Sequence, residues 1–167
     1  MGSNPTPRTN RSGSRPMKET VNTSFSHLEL EVSSLSKAER PMAYAVNYNG
    51  LGQYAQLFQG TRYGVMFEDD GATGYLYATN DKFDQIFDSL HLYNAGGRTY
   101  PKKGDQIFIV WNPELQKAGI YYDNQFQAVI DFRNKQSCCR TGFPTKGPGL
   151  WSATHLWDET MTKGLEQ

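Results

Sequence analysis

Between Gln106 and Cys139 the chain passes through four apolar segments, "QIFIVW", "KAGIYY", "FQAVIDFR" and "SCC", joined only by "NPELQ", "DNQ" and "NKQ". Connections this short allow a reversal and little else, so consecutive segments must lie beside one another as antiparallel strands. "QIFIVWN" is apolar on both sides and reads as a central strand. In "FQAVIDF", strand alternation gives Phe126, Ala128, Ile130 and Phe132 a common face. Adjacent Tyr121 and Tyr122 must then face opposite sides, so both surfaces of this sheet carry tyrosine.

Upstream, "HLELEV" sets Leu28, Leu30 and Val32 against Glu29 and Glu31, the period of a short half-buried strand. "MAYAVNY" alternates again. "RYGVMFEDDGATGYLYATN" reads as a hairpin. Tyr63, Val65 and Phe67 share a face of its first strand, and Tyr75 and Tyr77 share a face of its second. The Asp- and Gly-rich "DDGATG" forms the turn. In "NDKFDQIFDSLHLYN", Phe83, Ile86, Phe87 and Leu90 fall at i, i+3, i+4 and i+7, which predicts an amphipathic helix over 80–93. Asn80 or Asp81 is placed to cap it, Lys82, Asp84, Gln85 and Asp88 face away, and "NAGG" ends it. The expected fold class is therefore α+β: a mainly antiparallel sheet, meander plus hairpin, with one amphipathic helix packed on one face.

The first 24 residues are rich in Ser, Asn, Thr, Pro and Gly, with Arg8, Arg11, Arg15 and Lys18 and no apolar periodicity. They read as a disordered basic arm, most simply an extension ahead of a start at Met17. Residues 25–150 form the expected domain. Residues 151–167 form a tail in which Trp151, Leu156, Trp157 and Met161 are placed to dock a short helix.

Lys+Arg and Asp+Glu balance at 17 each, which argues against a general nucleic-acid binder, since phosphate neutralisation needs a basic surface. "IFIVW", the longest strongly apolar run, is too short to span a bilayer, and no secretory segment opens the chain. The expectation is a soluble cytoplasmic protein. The two cysteines, Cys138 and Cys139, are neighbours and cannot staple distant segments.

Adjacent strand residues point to opposite faces, so one of these thiols is expected to be buried and the other accessible beside Arg140. A thiolate activated by Arg140, with His91 as base, is the catalytic alternative. Nothing in the sequence brings His91 near either cysteine, and a structural strand ending in a turn is preferred. No metal site is expected: His27, His91 and His155 stand apart, and Glu68, Asp69 and Asp70 lack the closing ligand of a calcium loop. "GATG" lies between two strands rather than before a helix, so it makes no phosphate cradle. At a helix end, His91 would serve the macrodipole.

Three stretches, "DDGATGYLYA", "DSLHLYN" and "VIDFRNKQSCCRTGFP", resemble a small uncharacterised bacterial domain family of unknown function. Its pattern is a D-G-x-T-G-Y-x-Y-A hairpin, L-H-x-Y-N, and a closing C-R-x-x-F-P strand. The resemblance covers Tyr63 to Pro144 and implies a bacterial origin and an independent small domain. It implies no reaction.

Ten tyrosines and nine phenylalanines exceed the needs of one small core, and tyrosine suits interfaces because it joins rigid apolar area to a polar tip. The functional expectation is a non-enzymatic protein-binding domain, of immunity or accessory type, that binds and blocks a bacterial toxin or enzyme. Its partner would be another protein, with no cofactor and no membrane. The candidate binding residues are Asp69, Asp70, Tyr75, Tyr77, His91, Tyr93, Tyr121 and Arg140. The alternatives are a small thiol enzyme using a Cys/Arg/His cluster, or a small-molecule sensor with a pocket between helix and sheet.

Overall fold

The computed structural model describes residues 41–145 and 150–166. The basic arm and the "HLELEV" strand lie outside the described residues. The short-turn segments form the expected meander: β6 (Ile107–Asn112), β7 (Lys117–Tyr122), β8 (Gln125–Asp131) and β9 (Gln136–Cys139). With β1 (Met42–Val46) they make a five-stranded antiparallel sheet, sheet A, in the order β1-β6-β7-β8-β9. The β7–β8 turn is Asp123-Asn124, both at positive φ, the two-residue geometry that suits strand twist.

A second antiparallel sheet, sheet B, contains β2 (Gly52–Leu57), β3 (Tyr63–Asp69), β4 (Thr73–Asn80) and β5 (Ile86–Asn94) in sequence order. β3 and β4 are the predicted hairpin. The predicted helix over 80–93 is not formed. The described residues are nearly all β, with two antiparallel sheets and one 3-10 turn at Glu159–Thr162, so the α+β expectation is corrected to an all-β architecture.

The reason lies at both ends of that segment. The Asn80 side chain, expected to cap a helix, accepts from the backbone N–H of Asp84 and Gln85 and closes a tight reversal between β4 and β5. Phe83 adopts a positive φ of 56° within it. Beyond the turn, Asp88, Leu90 and Leu92 are buried with period two, and a bulge between the Tyr75 and Gly74 pairings adds Tyr93 to the buried side. The helical stripe was a coincidence of spacing. The acidic residue it turned outward, Asp88, is fully buried.

The sheets pack face to face around one core. Trp111 of β6 stacks on Phe58, which follows β2, at 4.0 Å between ring centroids. Tyr63 of sheet B stacks on Phe132 of sheet A at 4.6 Å. Gly74 sits where any Cβ would lie 2.2 Å from the Tyr93 ring, so this aromatic can fold over β4 only if the position is glycine. After β9 the chain meets the free edge of β5 at two points: His91 N–H donates to Phe143 O, and Trp151 N–H to Phe87 O. Trp151 then stacks on Phe87 at 4.7 Å.

The tail crosses the outer face of sheet A. Trp157, Met161 and Leu165 cover a second apolar cluster formed by Val110, Phe126, Val129 and Cys138. Leu156 stays exposed.

Candidate functional site

Cross-strand register builds one surface on the outer side of sheet B. Gln53, Glu68, Tyr75 and His91 form one row across the four strands, and Ala55, Met66, Tyr77 and Ser89 form the next. Tyr75 and Tyr77 stack at 5.8 Å, and His91 meets the Tyr75 ring edge-on at 5.2 Å. The Tyr77 hydroxyl donates to Glu68, which also accepts from Gln53. Burial, then the neighbouring Glu68 carboxylate, holds the Tyr77 phenol well above its usual value, so it stays a donor. His91 Nε2 pairs with Asn94 at 3.1 Å. Through the bond from His91 N–H, this surface runs on to the 141–145 turn, where Phe143 is exposed.

Three of the predicted binding residues, Tyr75, Tyr77 and His91, are thus brought together. Asp70 caps the β3–β4 turn beside them: its carboxylate accepts from the N–H groups of Ala72 and Thr73, which hold its pKa low. Asp69 and Tyr93 are elsewhere, inside the core. There the Asp69 carboxylate accepts from the hydroxyls of Tyr48, at 2.6 Å, and Tyr93, at 2.9 Å. Glu68, Asp69 and Asp70 therefore point outward, inward and into the turn. No group of three or more His, Cys, Asp or Glu among the described residues is arranged to hold a metal ion.

Tyr121 and Arg140 meet on the opposite side of the molecule, in a half-open groove of about 580 Å³ between sheet A and the tail. Alternation alone would send Phe126 into the core. Instead the β7–β8 pairing slips at Gln127, Ala128 opposing Ile120 and Phe126 opposing Tyr121, and this bulge turns Phe126 outward. Its ring lies over Gly119, where a Cβ would come within 2.8 Å. Tyr121 packs against it edge-on at 5.2 Å. Arg140 Nε donates to Phe126 O, and the guanidinium lies 4.1 Å from the centroid of the Trp157 ring.

A buried polar cluster contains residues that sequence reasoning did not select as a site. Asp88 on β5 accepts from Ser137 of β9 at 2.5 Å, from Ser152 at 2.8 Å and from His155 Nε2 at 2.9 Å. His155 Nδ1 lies 2.5 Å from Pro144 O. A carbonyl can only accept, and so can an ionised carboxylate, so both ring nitrogens carry protons and His155 is an imidazolium. Burial opposes that charge, but the bonds to Asp88 and Pro144 outweigh it and raise the His155 pKa. Burial likewise opposes the Asp88 carboxylate, yet the His155, Ser137 and Ser152 hydrogen bonds hold it below the ordinary range. Both serines donate to Asp88, and neither is given to a basic nitrogen. The composition imitates a Ser-His-Asp set, but neither serine is hydrogen-bonded to His155, so the serine–histidine pair of a triad is not formed. The cluster is a clasp joining β5, β9 and the tail.

The thiol alternative meets a similar outcome. Cys139 points into the core and Cys138 lies under the tail, both 1 % exposed or less. The expected unequal pair is corrected to two shielded thiols, because the tail covers the face that alternation left open. Burial pushes Cys138 up to about 11 and raises Cys139. The His91 ring lies on the outer face of the other sheet and pairs with Asn94, and neither thiol is hydrogen-bonded to it. A thiol reagent is expected to label neither cysteine in the folded protein below neutral pH and both in denaturant. Rapid labelling of either one in the native state would contradict this burial.

No helix among the described residues is long and apolar enough to cross a membrane. No solved structure matches the chain. An uncharacterized protein of Haemophilus influenzae is 32% identical over 121 residues, covering 70% of this chain and 71% of the relative. Residues 48–166, which hold all of sheet B, the meander and the tail, match the family model described as "Uncharacterized protein conserved in bacteria (DUF2251)", and the chain belongs to that bacterial family.

Proposed function

We propose that the protein is a non-enzymatic binding protein that engages another protein through the outer face of sheet B. The observation that carries this reading is the aromatic patch of Tyr75 and Tyr77 on β4 and His91 on β5, with exposed Phe143 in the turn that pairs with β5. Stacked tyrosines on a rigid sheet lose little freedom on binding, and the Tyr77–Glu68–Gln53 chain fixes them beforehand. Glu68 and Asp70 give the face an acidic side, which suits a partner with basic groups at its rim. Both thiols are buried and neither is hydrogen-bonded to the His91 ring, which supports a binding role over a thiol enzyme.

The test is affinity capture from a bacterium of this family, with the Tyr75→Ser/Tyr77→Ser double variant beside the native protein. The native protein should retain a specific partner. The variant should bind it with a loss of about 2 kcal/mol or more, roughly thirtyfold. Tyr121→Ala, on the opposite sheet, should bind as the native protein does. Equal capture by the double variant would reject this face. The immunity-type form of the reading further requires that the partner be a toxin or enzyme whose activity falls when the complex forms.

A further inference from the structure

The groove on sheet A takes no part in that reading. Its walls are aromatic: Phe108, Tyr121 and Phe126 present ring surfaces from three adjacent strands. Its charged lining is one cation and two anions, Arg140, Glu159 and Glu166. The cation is already engaged. Arg140 gives Nε to Phe126 O, lies over Trp157, and sits 4.0 Å from Glu159. Glu166 takes only the Thr162 hydroxyl, and among the described residues no basic side chain lies within 4.0 Å of it. The groove therefore combines aromatic rings, which attract a cation through the ring quadrupole, with an exposed carboxylate that has no ion-pair partner among the described residues. Its volume is that of a small-molecule site rather than of a protein contact.

We infer that this groove binds a small organic cation: an ammonium on an apolar or aromatic body. The body lies against Phe126 and Tyr121 while the ammonium faces Glu166. An anion of the same shape would meet two glutamates and an arginine whose charge Glu159 already offsets. A neutral molecule would gain no charge attraction from Glu166.

One scaffold carrying three charges tests this: 2-phenylethylammonium, 2-phenylethanol and phenylacetate, titrated at neutral pH and followed by backbone amide shifts and by Trp157 fluorescence. The ammonium should bind saturably, with shifts centred on Tyr121, Phe126 and Glu166, and about tenfold more tightly than the alcohol. Glu166→Gln, at an exposed position that leaves the fold intact, should remove most of that tenfold preference and leave the alcohol's affinity unchanged. The Tyr75→Ser/Tyr77→Ser variant should bind all three as the native protein does, which keeps this test separate from that of the sheet B face. Tighter binding of phenylacetate, equal binding of all three, no change in preference in Glu166→Gln, or no saturable binding up to about 10 mM would each overturn the inference.

Discussion

Asp88→Ala is expected to destabilise the protein by about 3–5 kcal/mol, the range for removing one partner of a buried ion pair. The substitution strands the His155 imidazolium and leaves the Ser137 and Ser152 hydroxyls without their acceptor. Asp84→Ala is the control: Asp84 is exposed in the neighbouring turn and should cost about 0.5 kcal/mol or less. Urea midpoints read the difference, and equal costs for the two would show that the clasp is not a source of stability.

The same pair sets a pH dependence with two signs. His155 is raised, so its contribution is complete below the unfolded histidine value and is lost as pH rises through the folded pKa. Asp88 is lowered, so its contribution is complete above the unfolded carboxylate value and is lost as pH falls through the folded pKa. Both are complete only between about pH 4 and pH 6.5. The urea midpoint should decline on the alkaline side of that window, and His155→Gln should flatten that decline. An unchanged alkaline slope in the variant would remove His155 as its source.

Trp111→Ala is expected to cost about 3–5 kcal/mol. The indole is 1 % exposed, stacks on Phe58 of the opposite layer and meets Phe132 edge-on at 5.9 Å. Its removal opens a cavity between two sheets that cannot collapse without breaking strand pairing. Leu156→Ala, at a side chain 68% exposed, should cost about 0.5 kcal/mol or less. A Trp111 penalty no larger than that would mean the sheets do not pack through this contact.

The meander was legible because the turns of "QIFIVW" to "SCC" are too short for any other connection, and local alternation fixes which side chains share a face. Tyr75 and Tyr77 were grouped correctly for that reason. The helix error had a local cause: Asn80 satisfies orphan N–H groups in a β-turn as well as it would at a helix start, and a buried aspartate hides the period-two pattern. Asp88 is tolerated inside only because Ser137, Ser152 and His155 arrive from 49 to 67 residues away, and pairings at that separation leave no local trace. The groove was hidden in the same way, since one extra residue at Gln127 reverses the side on which Phe126 appears. His91 stands beside Tyr75 through strand register alone, which a helical reading cannot express.

The tail also imposes an order on how the domain is made. As the polypeptide leaves the ribosome, the nine strands of the described residues emerge before His155 and the residues that sheathe sheet A. Until then Asp88 has no counter-ion, and Val129 and Cys138 lie open to water. Strands that have already emerged can pair, but the outer face of sheet A stays bare until the residues that cover it have been made, and that apolar face is the one open to association in the interval.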